Sequence, residues 1–558
     1  MAKKIGIDLG TTYSCVSYVD DMGIVRIIDN LEGEQTTPSV VFFSPNGEEV
    51  VVGSAARSEG AMDPANLVER VKNYMGNPDY KFYVNGTDYS AAAVSSVILK
   101  KLVADAEAAI GEIDGAVITC PAYFGENERS DTKKAGENVI LSNGQPLKVL
   151  KILDEPTAAA IAYGNSRQED MEKTVLIYDL GGGTFDCTVM KIKFNGSDRE
   201  MQVITTGGNH QLGGKDWDEA FANLVRDKFC EATGNDADEM KNDPESTAWF
   251  SENIEKAKKL LTNRETTSLS PSYNGSKERI EVTREEFEDV TSTLLDQTIM
   301  LVNEMMEKKG MSVLNDIDEI ILVGGSTYMP QVSKRLEAEY NKTISSYEPN
   351  KAVAMGAAIV ANEWNGMEMP EVDTSALFGE DFEDMGEIEI PSLPTNEGGG
   401  FSIGGPTGTK TVIIEPCTKS YGLRIFQNDQ EKVLNLVIKD TPKPAKGSSI
   451  DHFPLTITGT SDMVSEVNIL ILENDSLEAI VDRADCKEIY VEEPIQFAGA
   501  VPGNNEVSVD IEVDANGIVT LYLTDKVTGQ TYTMKPTRLS DVDGADDSMA
   551  IAKGMTLI

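Results

Sequence analysis

Histidine is almost missing from this chain, with His210 and His452 the two in 558 residues. That scarcity argues against a histidine-based catalytic triad and against a multi-histidine metal centre. Cysteine is thin as well: Cys15, Cys120, Cys187, Cys230, Cys417 and Cys486 stand far apart and form no CxxC pair. A disulfide framework is therefore not expected, and the thiols read as buried groups of a reducing compartment. No apolar run approaches the roughly 18 residues that a membrane helix needs. Met1-Ala2-Lys3-Lys4 leads straight into Ile5-Gly6-Ile7-Asp8 with no apolar leader segment. Basic residues are outnumbered, 49 Lys+Arg against 93 Asp+Glu, for a net charge of −44. Nucleic acid and acidic membranes are themselves polyanions, so neither is an expected partner. The expectation is a cytoplasmic protein.

What is present falls into unequal parts. At roughly 150 residues per domain, the length suggests three or four compact units. Up to residue 363, short apolar runs alternate with amphipathic stretches. Ile5-Gly6-Ile7, Gly115 to Thr119, Thr174 to Tyr178 and Glu319 to Val323 read as buried strands, and Ala91 to Ile110 reads as a helix with Val94, Val97, Ile98 and Leu102 on one face. This is an α/β pattern. No Lys or Arg occurs between Lys351 and Lys410. Residues 364–410 read as an acidic, Gly-rich linker, either a solvated tether or a docking segment carried by Leu377, Phe378 and Phe382. From 411 to 540 the periodicity is two. Val507, Val509, Ile511 and Val513 alternate with polar residues, and Asn516-Gly517 offers a hairpin turn, so an antiparallel β domain is expected. Residues 541–558 read as a short tail.

Three Gly-rich turns each follow an expected strand: Asp8-Leu9-Gly10-Thr11-Thr12-Tyr13, Asp179-Leu180-Gly181-Gly182-Gly183-Thr184-Phe185-Asp186, and Val323-Gly324-Gly325-Ser326-Thr327. Glycines there let backbone N–H groups approach phosphate oxygens, and hydroxyls add donors. Two of the turns begin with Asp about 170 residues apart and continue Leu-Gly. That is a duplicated element, two related halves facing one nucleotide. The carboxylates suit a hard cation such as Mg²⁺, held through its water shell. No GxxxxGK[ST] is present, which excludes a P-loop.

These motifs, with Val117 to Phe124 and Asp154-Glu155-Pro156-Thr157-Ala158-Ala159-Ala160, resemble the 70-kDa heat-shock (DnaK-type) chaperone family. The resemblance spans residues 3–363 closely and 411–535 more loosely. It implies an α/β actin-like ATPase of two duplicated lobes over 1–363, followed by a β-sandwich. It implies ATP/ADP and Mg²⁺ as cofactors. Asp8 and Asp179 would hold Mg²⁺ through water. Gly10, Thr11, Thr12, Tyr13, Gly181, Gly182, Gly183, Gly213 and Gly214 would line the phosphates, and Thr184 would donate to the γ-phosphate. Lys72 would stabilise charge on the γ-phosphoryl group, Glu155 would order the attacking water, and Asp186 would complete the carboxylate cluster. Alone, Lys72 reads as a surface lysine and Glu155 as a helix cap. Gly324, Gly325 and Ser326 would face the nucleotide from the other lobe.

Around adenosine, Glu255 and Lys258 match the family. Lys259 and Tyr328 stand where it usually has Arg, and Asn350 where Asp is common. A lysine cannot stack as a guanidinium does, whereas Tyr328 offers an aromatic face. Pro121 and Arg129 resemble the relay between domains. Thr411-Val412-Ile413-Ile414-Glu415 resembles the short interdomain linker. Leu423, Ile425, Phe426, Val467 and Ile469 fall near peptide-lining positions or, equally, in sandwich core, with Ala500 at the central pocket. The family's helical lid is not expected in residues 541–558. The resemblance implies unfolded or extended peptides, a J-domain co-chaperone and a nucleotide exchange factor as partners. The functional expectation is an ATP-dependent chaperone of the stress response whose hydrolysis controls peptide affinity. The alternative is a nucleotide-gated scaffold binding one dedicated partner.

Overall fold

The computed structural model describes residues 2–45, 49–60, 63–167, 170–196, 198–364, 401–404, 410–427, 430–447, 450–457, 465–467, 471–489, 495–497, 503–525, 529–534 and 547–557. Two large sheets carry the first part of the chain. In the first, the order is Val149–Asp154, Ile113–Cys120, Lys3–Asp8, Tyr13–Val19, Val25–Ile28, with Thr37–Pro38 paired to Tyr13–Val19. In the second, it runs Thr343–Ser346, Glu319–Val323, Met171–Leu180, Phe185–Asn195, Asp198–Asn209 and then two later strands. Around Lys3–Asp8 and around Met171–Leu180 the pairing senses coincide: two parallel neighbours on one side and an antiparallel hairpin on the other. Lys3–Asp8 ends in Asp8 and Met171–Leu180 in Asp179-Leu180, each followed by a Gly-bearing turn, which places those turns at the same edge of each sheet.

The helix Ala91–Ile110 has the bounds expected from its periodicity, and Ser90 Oγ caps it by accepting from Ala93 N at 3.2 Å. Between the sheets lies Ala352–Glu363, a helix of small residues in which Ala354, Ala357, Ala358 and Ala361 are fully buried. Small side chains let it lie close against the first sheet, where Gly6 faces the backbone of Ala357 and Ala358, and against the helix Glu155–Arg167, where Gly356 faces Ala158. Five of the six cysteines are buried, and none is disulfide-bonded. No described helix is long and apolar enough to cross a membrane.

The later part is β structure. One sheet runs Ile480–Asp482, Gln430–Val437, Ser420–Gln427, Ile471–Asn474, Lys487–Ile489, and another joins Ala445–Lys446, Gly503–Val513, Val519–Asp525 and Thr531–Met534, with Ile450–Ile457 beside Gly503–Val513. Leu423, Leu434 and Ile471 from the first share one apolar cluster with Val509, Ile511, Val513, Val519, Leu521 and Leu523 from the second. The hairpin closes across Asn516-Gly517, with Val513 opposite Val519 and Asp514 N donating to Ile518 O at 2.9 Å.

Three segments sit where sequence reading had not put them. Lys410–Pro416, expected to open the β domain, lies parallel to Asp198–Asn209 in the second sheet, pairing Arg199 with Thr411 and Gln202 with Ile414. Its alternation buries Thr411, Ile413 and Glu415. Phe401–Gly404, within the stretch read as linker, pairs antiparallel with it. The C-terminal tail forms a helix, Asp547–Gly554, and a short strand, Thr556–Leu557, parallel to Glu49–Val52.

Candidate functional site

The three Gly turns converge between the sheets. A Cβ on Gly182 would lie 2.4 Å from Thr12 Oγ1, and one on Gly183 would lie 3.2 Å from Thr11 Cγ2, so the first two turns face each other directly. Ser39 Oγ donates to Gly10 O at 2.7 Å, which fixes the first turn from below. Gly214 N donates to Gly181 O at 2.9 Å, and Gly213 N donates to Asp216 Oδ2 at 2.7 Å at the start of Gly214–Thr233. Ser326 Oγ donates to Gly181 O at 2.8 Å, bringing the third turn, with Gly324 and Gly325, onto the second. Thr12 Oγ1 is buried without a hydrogen-bond partner. An unpaired hydroxyl in such a loop is a donor waiting for an oxygen.

Asp8, Asp179 and Asp186 lie deep beside these turns. Asp179 and Asp186 are cross-strand partners, and Thr119 Oγ1 donates to Asp8 Oδ1 at 3.4 Å. Burial, then the Glu155 charge, pushes Asp8 up to about 7 and Asp186 up to about 8. The same causes, with Asp186 and Asp8 adding to them, hold Asp179 well above the usual carboxylate range. Thr184 bonds to Asp186 and offsets its shift only in part. Lys72, on the short helix Val71–Tyr74, is buried and ion-paired with Glu155. Burial opposes its charge, yet Glu155 and Asp8 outweigh that and raise it above the usual lysine value. One lysine against four carboxylates leaves negative charge that a divalent cation would relieve. Among the described residues, no three His, Cys, Asp or Glu side chains converge closely enough to hold a metal ion directly.

At the rim, Tyr13 of the first sheet meets the helix Pro244–Asn263. Tyr13 OH donates to Glu255 Oε1 at 2.9 Å, Lys259 pairs with Glu255 at 2.9 Å, and Arg57 Nη1 donates to Tyr13 OH at 3.2 Å. Lys258 Nζ donates to Gly214 O at 3.0 Å and pairs with Asp218 at 2.8 Å. Tyr328 is 46% exposed, and its hydroxyl donates to Asn350 Oδ1 at 3.0 Å, so a neutral pair stands at this corner of the cleft. The Gly182 contact carries a prediction. Gly182→Ala is expected to part the two turns and weaken nucleotide binding by at least about tenfold, roughly 1.4 kcal/mol. Titration calorimetry with ADP checks this, and unchanged affinity would show the turns do not act together.

A second cluster lies where the later β structure meets the two large sheets. Pro121 opens the turn Pro121 to Phe124, and Arg129 follows on Glu126–Glu137. Arg129 Nη2 bonds Asp154 Oδ1 at 2.6 Å, with both side chains 1% exposed. Lys443 Nζ lies 3.7 Å from Asp154 and 3.6 Å from Glu415, and Lys151 Nζ lies 3.8 Å from Glu415. The hairpin tip closes the cluster: Lys151 Nζ donates to Ala515 O at 2.8 Å, Arg129 Nη1 to Asn516 O at 3.5 Å, and Ile152 N to Asn516 Oδ1 at 3.0 Å. Burial pulls Lys151 down to about 8. Arg129, expected from the resemblance to act with Pro121 between domains, lies in this cluster, whereas Lys151, Asp154, Glu415, Lys443 and Asn516 were not singled out for it. A lysine inside the apolar run Val149 to Leu153 was the available signal.

Of the expected peptide-lining residues, Leu423 is 1% exposed within the core shared by the two β sheets, and Ile425 is partly buried against it. Ile469, Ala500 and the side chains of Phe426 and Val467 lie outside the described residues.

Two turns that begin at buried carboxylates, press against each other and carry an unpaired threonine hydroxyl define a phosphate-binding enzyme of α/β fold, joined through a buried ionic cluster to a β domain. The Hsp70 protein family matches residues 4–82 and 77–377. The chain is 32% identical to the chaperone protein DnaK of Thermotoga neapolitana, over 97% of its own length and 83% of that protein's. The chain belongs to the Hsp70 family, ATP-dependent chaperones with ATPase activity.

Proposed function

We propose that this chain couples Mg²⁺-dependent ATP hydrolysis between two duplicated actin-like lobes to peptide binding in the β domain, taken as a sandwich. The observation that carries this reading is the seating of Lys410–Pro416 in the second sheet, which puts Glu415 in the buried cluster with Arg129, Lys151, Asp154 and Lys443. Any change at the phosphate turns that tilts one sheet against the other alters the seat of that strand.

In this reading the phosphates of ATP lie against Gly10, Thr11, Thr12 and Tyr13 on one side and Gly181, Gly182, Gly183, Gly213 and Gly214 on the other. Thr12 supplies the hydroxyl donor. Gly324, Gly325, Ser326, Tyr328, Asn350, Glu255, Lys258 and Lys259 bound the nucleoside. Asp8 and Asp179 would hold Mg²⁺ through water, and the ion when bound supplies charge neutralisation on the phosphates. Lys72 steadies charge developing on the γ-phosphoryl group, and its partner Glu155 positions the attacking water. Thr184 donates to the γ-phosphate. Unfolded peptides, a J-domain co-chaperone and an exchange factor complete the cycle, in the cytoplasm.

Single-turnover ATP hydrolysis with and without a set of unfolded peptides tests the coupling. Stimulation by peptide supports it. Hydrolysis that no peptide alters would leave an ATPase without the proposed linkage.

A pH effect belongs to the same interface. Glu473, on Ile471–Asn474, is pushed up to about 7 by burial and then by the Glu128 charge of the first lobe. A carboxyl raised in the docked state binds a proton that the undocked state has lost. Docking is therefore strongest below the ordinary glutamate range and weakens as pH rises through about 7. Glu473→Gln is expected to flatten this dependence, read as protection of the linker strand between pH 5 and about 8.

A further inference from the structure

The C-terminal residues are built into the first lobe. The helix Asp547–Gly554 packs on Ala91–Ile110, and Ala552 (1% exposed) and Met555 (4%) enter the same apolar core as Val94, Ile98 and Leu102. The polar groups match as well. Ser90 N donates to Ser548 Oγ at 3.2 Å, and Asn138 Nδ2 donates to Met549 O at 2.9 Å. Lys100 Nζ donates to Lys553 O at 3.1 Å and also to Met555 O. A cation there complements the carbonyl end of the helix. Thr556–Leu557 then adds a strand to the open edge of Glu49–Val52, pairing Thr556 with Glu49 and Leu557 with Val50. Ile551, 38% exposed, faces away. Helix, cation and strand edge together select one short helix–strand segment.

This segment follows the β domain in the chain, and Lys410–Pro416 precedes it. The β domain is thus fastened at both ends, to the second sheet by its entry strand and to the first lobe by its exit segment. Residues 535–546 join the last described β strand to that segment, and twelve residues reach at most about 40 Å. When one fastening opens, the other keeps it close, which favours reclosure.

We propose that residues 547–557 are an intramolecular clasp, seated in the groove between Ala91–Ile110, Asn138 and the edge of Glu49–Val52, that keeps the β domain close when the linker strand leaves the second sheet and so favours its return. This goes beyond the chaperone cycle, and its readout needs neither hydrolysis nor a peptide.

The test is amide hydrogen exchange of Thr411 to Glu415 in the full chain, without nucleotide, with ADP and with ATP. The variant is Ala552→Asp with Met555→Asp. Whatever difference the nucleotide makes, the expected result is faster linker exchange in the variant than in the wild type in the same state, on the order of 10²-fold, the gain a second tether typically gives. A chain truncated before Asp547 guards against misfolding caused by the buried aspartates. A synthetic peptide of residues 547–558 added to it should leave exchange fast, because it refills the groove without tethering the β domain. Unchanged linker exchange in both variants overturns the clasp. So does a wild-type dimer that the truncation converts to monomer, since the segment would then bridge two copies.

Discussion

Lys72→Ala is expected to lower the single-turnover rate of ATP hydrolysis by about 10²–10³ while ADP affinity shifts much less. The reasoning starts from burial. Lys72 is among the few buried lysines, held on the short helix Val71–Tyr74, and its partner Glu155 opens the helix Glu155–Arg167. Both side chains are positioned by local structure before any ligand arrives, so their charges need no reorganisation during reaction. Four carboxylates surround this one ammonium, and removing it leaves their repulsion uncompensated where a phosphoryl group must pass. Lys72→Arg restores charge without the compact ammonium and should recover only part of the rate. A loss under about tenfold, with binding intact, would remove Lys72 from the catalytic step.

The second large effect is expected at Arg129. Arg129→Ala breaks the bond to Asp154 and leaves that carboxylate buried, with Lys443 the nearest cation at 3.7 Å. Removing one member of a buried ionic cluster typically costs about 3–5 kcal/mol. Arg129 also donates through Nε to Phe124 O at 2.8 Å, so part of the loss falls on its own helix and turn. A double-mutant cycle with Glu415→Gln separates the shares, because Glu415 reaches the cluster only through the seated linker strand. Linker exchange should accelerate sharply in Arg129→Ala, and the two substitutions should be non-additive by about 0.5–3 kcal/mol. Additive effects would mean that Arg129 stabilises its own surroundings without communicating with the linker.

The phosphate turns were legible because their chemistry is local. An apolar strand, an Asp and a run of glycines and threonines occupy about ten consecutive residues, and the duplicate at Asp179 supplies an internal check. The helix Ala91–Ile110 was legible for a similar reason, its period of apolar residues being unbroken. The ionic cluster was not, since residues 129, 151, 154, 415, 443 and 516 come from five separate stretches of chain, and each charge alone reads as solvated surface. The C-terminal clasp was hidden differently. Ala552 and Met555 make too short a pattern to announce a buried face, and their socket is assembled from residues more than 400 positions earlier. The seating of Lys410–Pro416 had a visible trace, the alternation of Thr411, Ile413 and Glu415, but which sheet would accept it depends on an open edge that sequence does not display.

The hairpin tip at residues 515–517 meets Arg129, Lys151 and Ile152 mainly through main-chain oxygens, those of Ala515 and Asn516, plus the single side-chain oxygen of Asn516. A contact written in carbonyl groups is indifferent to most changes of side chain. Ala515 can drift among small residues without removing a donor or an acceptor. Gly517 cannot, since it has φ +82° and a Cβ there would lie 2.8 Å from Arg129 Cδ. The tip therefore works as a shape with two fixed letters, and the β sheets behind it are free to diversify what they hold while the message delivered to the lobes stays the same.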